Sequence, residues 1–298
     1  MRRLLAFIAL LAVPPLAAAQ FASPQTEAGR AYFWEVSSLT NTVYLFGTVH
    51  AGKRNFYPLP ERVEKSFADA GVLAVEADIT DAAAMQKGAA AMSLVPPDRL
   101  DKHVPAAAYE RFRKQADRLG VPEPQLAQLT PFAAASILAF SEWGRLGYLP
   151  QFGVDLNLIL KARETGKKIV ELEGAKVQAD LIASLTPEQS RQAFEGTVAA
   201  LESGLTRDQI NGMVEAWQAG NPAKLLEVAR KYNENVPGAR ELEEKFIWSR
   251  HEAMAGKIEA YLMEGRERVF VAVGALHLAG PRGLVEMLRR RGYTVRQP

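Results

Sequence analysis

Short apolar stretches near both ends of the chain have the pattern of β-strands. Residues 31–36 and 42–46 are rich in aromatic and aliphatic side chains, and the turn-forming segment 37–41 between them predicts a β-hairpin. Residues 72–75 and 269–273 are continuous apolar runs of strand length, which is typical of buried strands. We therefore expect both ends of the chain to contribute strands to one sheet.

The middle of the chain is predicted to be helical. Its segments show helical spacing of apolar residues or are rich in Ala, and several begin with Pro, which favours a helix start. Helices are predicted over residues 82–92, 106–119, 131–146, 154–164, 187–202, 206–219, 222–235, 239–263 and 281–290. Further strands are predicted at 168–172 and 293–296. This order is typical of an α+β or α/β fold. We expect a mixed central sheet formed by both ends of the chain, with a long helical insertion in the middle.

Residues 1–19 have the composition of an export signal. A positively charged start is followed by an apolar run over residues 4–16 and then by the small residues that a signal peptidase requires. We predict cleavage near Ala19-Gln20, a single mature domain over residues 20–298, and a periplasmic or secreted location. The alternative is an uncleaved membrane anchor. No later stretch approaches the roughly 20 apolar residues that span a bilayer, so no stable membrane span is expected after cleavage.

Charge and cysteine content exclude several classes of function. The chain has 36 basic and 34 acidic side chains, and two of the basic ones, Arg2 and Arg3, lie in the predicted signal. The mature chain is therefore formally neutral, and we expect no nucleic-acid partner. The absence of Cys excludes disulfides, thiolate ligands and a Cys nucleophile. The chain also lacks the His-Glu-x-x-His, Gly-x-Ser-x-Gly, Walker and Gly-x-Gly-x-x-Gly motifs.

Two of the four histidines end the same local motif. Gly47 and His50 bound one Gly-x-x-His motif, Gly274 and His277 bound the other, and each motif follows an apolar strand segment. We expect the glycines to let the backbone turn sharply or to let another group approach closely. A single such His is explained by a backbone hydrogen bond at a strand end. Two copies on the two best strands favour a shared metal or catalytic site, because α/β sheets bind ligands at strand ends.

Carboxylates follow two other predicted strands. Glu76 comes directly after the run 72–75, where a carboxylate is unfavourable unless it is paired, protonated or bound to a metal. The alternative is a strand-end acid that reaches solvent. Glu173 occupies a comparable place after the strand at 168–172. We rank Glu76 first, Glu173 second, and the neighbouring Asp78 and Glu171 after them.

These motifs resemble the TraB/GumN family, which includes the Tiki proteases of animals. The marks of that family are two Gly-x-x-His motifs near opposite ends of the domain and a Glu shortly after the first, here His50, His277 and Glu76. The resemblance extends over nearly the whole mature chain, with further similarity in the segments 153–155, 172–178, 271–280 and 292–295. It implies a peptidase-like site that uses Mn²⁺ or a similar divalent ion.

One position departs from the pattern of the family. Before the last buried strand the family tends to carry Arg-Asn in a helix, where this chain has Arg250 and His251. Arg250 matches, while His251 is either an additional ligand or an exposed helical residue. We favour the exposed residue. His103 lies in a polar stretch and is predicted to be on the surface.

The residues and the resemblance together predict a metal-dependent hydrolase. We expect His50, Glu76 and His277 to hold the metal, since imidazole and carboxylate without thiolate suit Mn²⁺, Fe²⁺, Co²⁺ or Zn²⁺. Glu173 is our candidate general base. Arg250 is our candidate for stabilising an oxyanion or holding a substrate carboxylate. The substrate would be a peptide or a small molecule. The alternatives are a non-catalytic haem-, metal- or peptide-signal-binding protein, and a structural protein whose His and Glu are polar core groups.

Overall fold

The computed structural model describes residues 31–231, 236–265 and 267–298. The predicted export signal and its cleavage site at Ala19-Gln20 lie outside the described residues and stay predictions. Within the described ranges, no helix is long and apolar enough to cross a bilayer.

A six-stranded mixed sheet forms the centre of the fold. Its strands are β1 (Phe33–Ser37), β2 (Thr42–Thr48), β3 (Val72–Val75), β4 (Lys168–Glu171), β5 (Val269–Gly274) and β6 (Thr294–Arg296). Their order across the sheet is β4-β3-β5-β2-β1-β6. β1 and β2 form the predicted hairpin, and β6 pairs antiparallel with the other side of β1. β2, β5, β3 and β4 run parallel to one another. Both ends of the chain therefore build the sheet, as predicted.

Helices connect the strands and cover the sheet. The α-helices of the described residues are α1 (Glu61–Asp69), α2 (Ala82–Ala91), α3 (Ala106–Leu119), α4 (Glu123–Leu126), α5 (Pro131–Arg145), α6 (Val154–Glu164), α7 (Ala175–Ala183), α8 (Pro187–Ser203), α9 (Leu205–Gln218), α10 (Pro222–Lys231), α11 (Ala239–Phe246), α12 (His251–Glu264) and α13 (Leu284–Arg290). Each predicted helical segment contains a helix. α1, α4 and α7 were not predicted from the sequence.

The prediction of one continuous helix over residues 239–263 is wrong. α11 ends at Phe246, and a short 3₁₀ turn, Trp248–Arg250, precedes α12. Ile247 between them has a φ of −119° and a ψ of −69°, which depart from regular α-helical values. Trp248, in that turn, is buried and packs edge-on against the ring of His251 at a centroid distance of 5.3 Å. The apolar spacing continues through this segment, but tertiary contacts interrupt the helix.

Four parallel strands end at the same edge of the sheet. Thr48 at the end of β2 pairs with Gly274 at the end of β5. Val75 at the end of β3 lies opposite Ala272 of β5 and Glu171 of β4. The segments that follow these strands therefore leave the sheet side by side. They carry four of the candidate site residues.

Aromatic side chains fill the core between the sheet and its helices. Phe33, Phe46 and Phe67 surround Phe270 at ring-centroid distances of 6.2, 5.9 and 5.4 Å. All four side chains are fully buried, and burying one such side chain contributes about 1.5–3 kcal/mol. This cluster stabilises β2 and β5, which carry the two Gly-x-x-His motifs. A second buried cluster joins α3, α5 and α8.

Candidate functional site

Glu76 leaves the sheet directly after β3 and directs its carboxylate towards the end of β5. Its Oε1 atom accepts the backbone N–H of Gly274 at 2.7 Å, and its Oε2 atom accepts from Gln178 at 3.3 Å. A Cβ atom at position 274 would lie 3.2 Å from the Glu76 Oε1 atom. Gly274 therefore permits a close approach. Its φ of −51° does not require glycine, so the close-approach alternative describes it better than a sharp turn.

Arg250 lies between two carboxylates. Its Nη2 group donates to Glu76 at 2.6 Å, and its Nε group donates to Glu173 at 2.9 Å. A second bond from Nη2 reaches Glu173. Its Nη1 group donates to the carbonyl oxygen of Phe246 at 2.8 Å and to the Nε2 atom of His277 at 3.2 Å. All five N–H donors of the guanidinium are thus used within the protein.

Mutual pairing keeps these buried groups ionised. Burial raises the pKa of Glu76, but His277 and Arg250 outweigh it and hold that pKa well below its ordinary value. Burial lowers the pKa of Arg250, but Glu173 and Glu76 outweigh it and raise that pKa above its ordinary value. At neutral pH the site therefore contains a carboxylate at Glu76 and a guanidinium cation at Arg250.

His277 is buried beside Glu76. It lies in the short 3₁₀ turn Ala275–Leu278 that follows β5 and is only 3% exposed. Its Nε2 atom is 3.6 Å from the Glu76 Oε1 atom. On the other side of the ring, its Nδ1 atom lies 2.9 Å from the Nε2 atom of His251. The two nitrogens therefore face different groups, a carboxylate and an imidazole.

The expectation of an exposed helical His251 is wrong. The residue begins α12 and is fully buried. Its Nδ1 atom lies 2.7 Å from the backbone carbonyl oxygen of Arg282, and its Nε2 atom contacts His277. Burial lowers the pKa of His251 to about 4, so its ring is neutral at physiological pH. No local feature of the sequence indicates this role, because the inward position of the ring depends on the helix break at Ile247.

His50 lies in the segment after β2, at the same edge of the sheet. Its side chain is 66% exposed, and its Nδ1 atom lies 2.5 Å from the Oδ2 atom of Asp155. The charge of Asp155, together with its hydrogen bond to the ring, raises the pKa of His50 to about 9. A carboxylate only accepts, so the Nδ1 atom of His50 carries a proton. The Oδ1 atom of Asp155 is buried without a hydrogen-bond partner.

The start of α6 packs directly against the backbone of this segment. The Val154 N–H group donates to the carbonyl oxygen of Val49 at 2.8 Å. A Cβ atom at Gly153 would lie 2.5 Å from the carbonyl oxygen of His50, so only glycine fits there. Asp155 in the first turn of α6 is thereby placed beside the imidazole. Our site prediction missed Asp155, although residues 153–155 were among the segments that resemble the family.

Gly47 lies within β2 and not at a turn. A Cβ atom at this position would lie 2.4 Å from the Cδ1 atom of Tyr32, so the ring requires a glycine there. The carbonyl oxygen of Gly47 accepts the buried indole N–H of Trp217 at 2.7 Å. As for Gly274, close approach explains the glycine better than a sharp turn does.

Four candidate residues form one contact network, namely Glu76, Glu173, Arg250 and His277. His50 lies at the same edge, where its hydrogen bond goes to Asp155. Across the part of the chain that the structure describes, no group of three or more His, Asp or Glu residues has an arrangement that could hold a metal ion. That His50 shares a metal with the network stays a prediction.

The lower-ranked acids make other contacts. Asp78 pairs with Arg163 at 2.7 Å, and Glu171 accepts the backbone N–H of Asp78 at 2.6 Å. His103 lies on the surface, as predicted, with its Nε2 atom 2.7 Å from Asp98.

Comparison with known proteins identifies the family. The model of the TraB/PrgY/gumN family matches residues 32–297. The chain belongs to this family. The residues that match the TraB/PrgY/gumN model include all six strands and every candidate site residue.

Three known proteins are similar to most of the chain. Uncharacterized protein YbaP of Escherichia coli (strain K12) is 25% identical over 268 residues, which cover 88% of this chain and 94% of that protein. The protein of the same name from Shigella flexneri has the same identity and coverage. Metalloprotease TIKI2 of Xenopus tropicalis is 23% identical over 300 residues, which cover 85% of this chain and 57% of that protein. No solved structure shows a significant match.

Proposed function

We propose that this chain is a metal-dependent, peptidase-like hydrolase that acts on a peptide or small substrate outside the cytoplasm. The observation that carries the proposal is the pair formed by Glu76 and His277. The Oε1 atom of Glu76 and the Nε2 atom of His277 are 3.6 Å apart. Two ligands of one divalent ion, each about 2.1 Å from it, lie about 3–4 Å apart. The pair therefore has the spacing of two metal ligands.

The two histidines are also held in the way that metal-binding histidines are held. Such an imidazole donates one N–H group to a partner and keeps its other nitrogen for the metal. The Nδ1 atom of His50 is engaged by Asp155, and that of His277 is engaged by His251. The Nε2 atom of His277 accepts from Arg250, so a metal ion would have to replace that hydrogen bond. This supports His50, Glu76 and His277 as ligands of Mn²⁺, with Fe²⁺, Co²⁺ and Zn²⁺ as alternatives. A bound ion of this kind supplies Lewis-acid polarisation of a carbonyl group and an acidified water molecule.

Glu173 is the proposed general base, and Arg250 holds it in place. The carboxylate of Glu173 is only 4% exposed and faces the same network as Glu76. Since all five donors of Arg250 are in use, the guanidinium orients the two carboxylates and offsets their charge. A direct contact with a substrate oxyanion or carboxylate requires Arg250 to exchange one of these five bonds.

Similarity to Metalloprotease TIKI2 supports the peptidase class. The identity of 23% and the coverage of 57% of that protein leave the substrate open. The export signal predicted at residues 1–19 supports a location outside the cytoplasm.

Metal content and activity test this proposal. Protein purified from its native compartment is analysed for metal, stripped with a chelator, and reloaded with one ion at a time before incubation with a peptide mixture. We expect a retained ion and metal-dependent cleavage, and we expect His50→Ala and His277→Ala to lose both. His103→Ala is the matched control, since it removes a surface imidazole. A haem absorption band without cleavage would instead support a binding protein. A protein that neither retains metal nor cleaves peptides would refute the proposal.

Two amide substitutions separate a metal ligand from a general base. Glu76→Gln should lower the metal content, because an amide is a poorer ligand than a carboxylate. Glu173→Gln should keep the metal and lower kcat by about 10²–10⁴-fold, the contribution of a positioned general base. Equal metal loss in both variants would make Glu173 a ligand, and full activity of Glu173→Gln would remove it from the site.

A further inference from the structure

A buried chain of hydrogen bonds runs from a backbone carbonyl through His251 to His277. The Nδ1 atom of His251 lies 2.7 Å from the carbonyl oxygen of Arg282, and its Nε2 atom lies 2.9 Å from the Nδ1 atom of His277. The two imidazole centroids are 5.1 Å apart. Both rings are almost entirely removed from solvent, so these contacts are not exchanged for water.

The chemistry of these atoms determines where the protons lie. The carbonyl oxygen of Arg282 only accepts, so the Nδ1 atom of His251 carries a proton. A neutral imidazole has one N–H group, which makes the Nε2 atom of His251 an acceptor. The guanidinium of Arg250 only donates, so the Nε2 atom of His277, 3.2 Å from its Nη1 group, is an acceptor. The Nδ1 atom of His277 must then donate, and its Nε2 atom keeps a lone pair.

We propose that His251 is a positioning residue that fixes His277 in the tautomer whose Nε2 atom is unprotonated and carries its lone pair beside Glu76 and Arg250. The inference rests on the proposed function, since metal ligation is what requires that lone pair. It makes His251 neither a ligand nor an exposed helical residue. Its Nε2 atom is occupied by His277, and it acts on the site through the ring of His277.

Selection of this tautomer matters because the alternative tautomer of His277, protonated at Nε2, also has a hydrogen-bond acceptor nearby. A proton on the Nε2 atom of His277 would face the carboxylate of Glu76, whose Oε1 atom is 3.6 Å away. The proton would then occupy the lone pair of the Nε2 atom, and its hydrogen bond would occupy the carboxylate of Glu76. The bond to His251 gives the proton a place on Nδ1 instead. Arg250 favours the same tautomer, because its Nη1 group donates to the Nε2 atom at 3.2 Å.

Two amide substitutions distinguish the two ends of the His251 ring. In His251→Gln, the amide oxygen reaches the place of the Nε2 atom and can accept from His277. In His251→Asn, the shorter amide reaches only the place of the Nδ1 atom, so it keeps a donor for Arg282 and loses the acceptor for His277. Both variants lose the ring, so a purely structural role predicts similar effects of the two.

Imidazole ¹⁵N chemical shifts of the metal-free, full-length protein report which nitrogen carries the proton. Near neutral pH we expect His277 to be protonated at Nδ1 in the wild type and in His251→Gln. In His251→Asn we expect a shift towards the form protonated at Nε2. Affinity for Mn²⁺, measured by competition with a chelator, should fall about 10–100-fold in His251→Asn, as for other partners of metal-binding histidines. It should fall clearly less in His251→Gln.

The outcomes separate this inference from the proposed function. Wild-type His277 protonated at Nε2, or a His251→Asn variant with unchanged tautomer and affinity, would overturn the inference. If neither variant folds, the wild-type spectrum still decides. A wild type with the expected tautomer that binds none of the tested ions would refute the proposed function and leave the tautomer assignment standing. The same two substitutions at the exposed His103 are the control and should change neither measurement.

Discussion

Replacing Arg250 by methionine would leave two buried carboxylates without their cation. The side chains of Arg250, Glu76 and Glu173 are 9%, 12% and 4% exposed, so solvent compensates little. Removing one partner of a buried ion pair costs about 3–5 kcal/mol. In a chain of this size, about 1 kcal/mol changes the melting temperature by roughly 2–4 °C. We therefore expect Arg250→Met to lower the melting temperature of the metal-free protein by roughly 6–20 °C at mildly alkaline pH.

The stability lost in Arg250→Met should depend on pH, whereas a loss of packing alone would not. In the wild type the pKa of Glu76 lies below its unfolded value, so its contribution to stability is present above about pH 4.3 and is lost on acidification. Without Arg250, burial is opposed by one cation fewer, so the pKa of Glu76 rises from its lowered value. The ionised carboxylate then contributes less stability than in the wild type, and this difference is lost as the wild-type carboxylate becomes protonated. The gap between wild type and variant should therefore be smaller at about pH 4 than at about pH 8.

Thermal unfolding followed by circular dichroism, with a chelator present, measures both effects. The chelator matters because a divalent ion would supply a substitute positive charge. Arg268→Met is the matched control, since it removes Arg268 from an exposed pair with Asp69 whose side chains are 52% and 44% exposed. Its effect should stay within about 1 kcal/mol. The reasoning would be refuted if Arg250→Met lost no more thermal stability than the control, or lost the same amount at both pH values.

Two further predictions concern the segment around β2. In the metal-free protein, Asp155→Asn should lower the pKa of His50 from about 9 towards its ordinary value of about 6.5, as followed by NMR titration. A raised folded pKa stabilises the protein below the unfolded pKa and stops doing so as pH rises through about 9, so this variant should be more destabilised at about pH 6 than at about pH 9. An unshifted titration of His50 would contradict this account. Gly47→Ala would place a Cβ atom 2.4 Å from the ring of Tyr32 and should cost about 1–3 kcal/mol in urea unfolding. Gly88→Ala meets no atom within 4 Å in α2 and should stabilise by up to about 1 kcal/mol, so equal midpoints for the two variants would count against the steric argument.

The sheet was predictable because burial on both faces leaves a direct mark on the sequence. The strand predicted over residues 72–75 has those bounds in β3, and all four of its residues are buried. β2 continues two residues beyond the predicted end at Phe46, because its pairing with β5 extends through Gly47 and Thr48. A glycine at a strand end interrupts the apolar sequence pattern but not the backbone hydrogen bonds between the strands. The strand predicted from the pattern is therefore too short.

The contacts of His251 were not predictable from local pattern. Residues 239–263 have continuous helical spacing, and nothing in them marks a break at Ile247. The break is favoured by partners far along the chain, since Arg250 pairs with Glu76 and with Glu173. A single sequence shows which residues favour a helix, but not which ion pairs compete with it.

The buried charges of the network partly offset one another only when three distant segments meet. Glu76 and Glu173 follow neighbouring parallel strands, and the backbone N–H of Glu173 donates to the backbone oxygen of Glu76 at 3.1 Å, so the sheet itself brings the two carboxylates together. Two adjacent buried carboxylates oppose each other, and a cation must reach them for the edge to form with both ionised. The helix break supplies that cation in Arg250, and it places His251 behind His277 in the same step. One local departure from regular helix therefore provides both the charge that stabilises the acids and the neighbour that orients the imidazole.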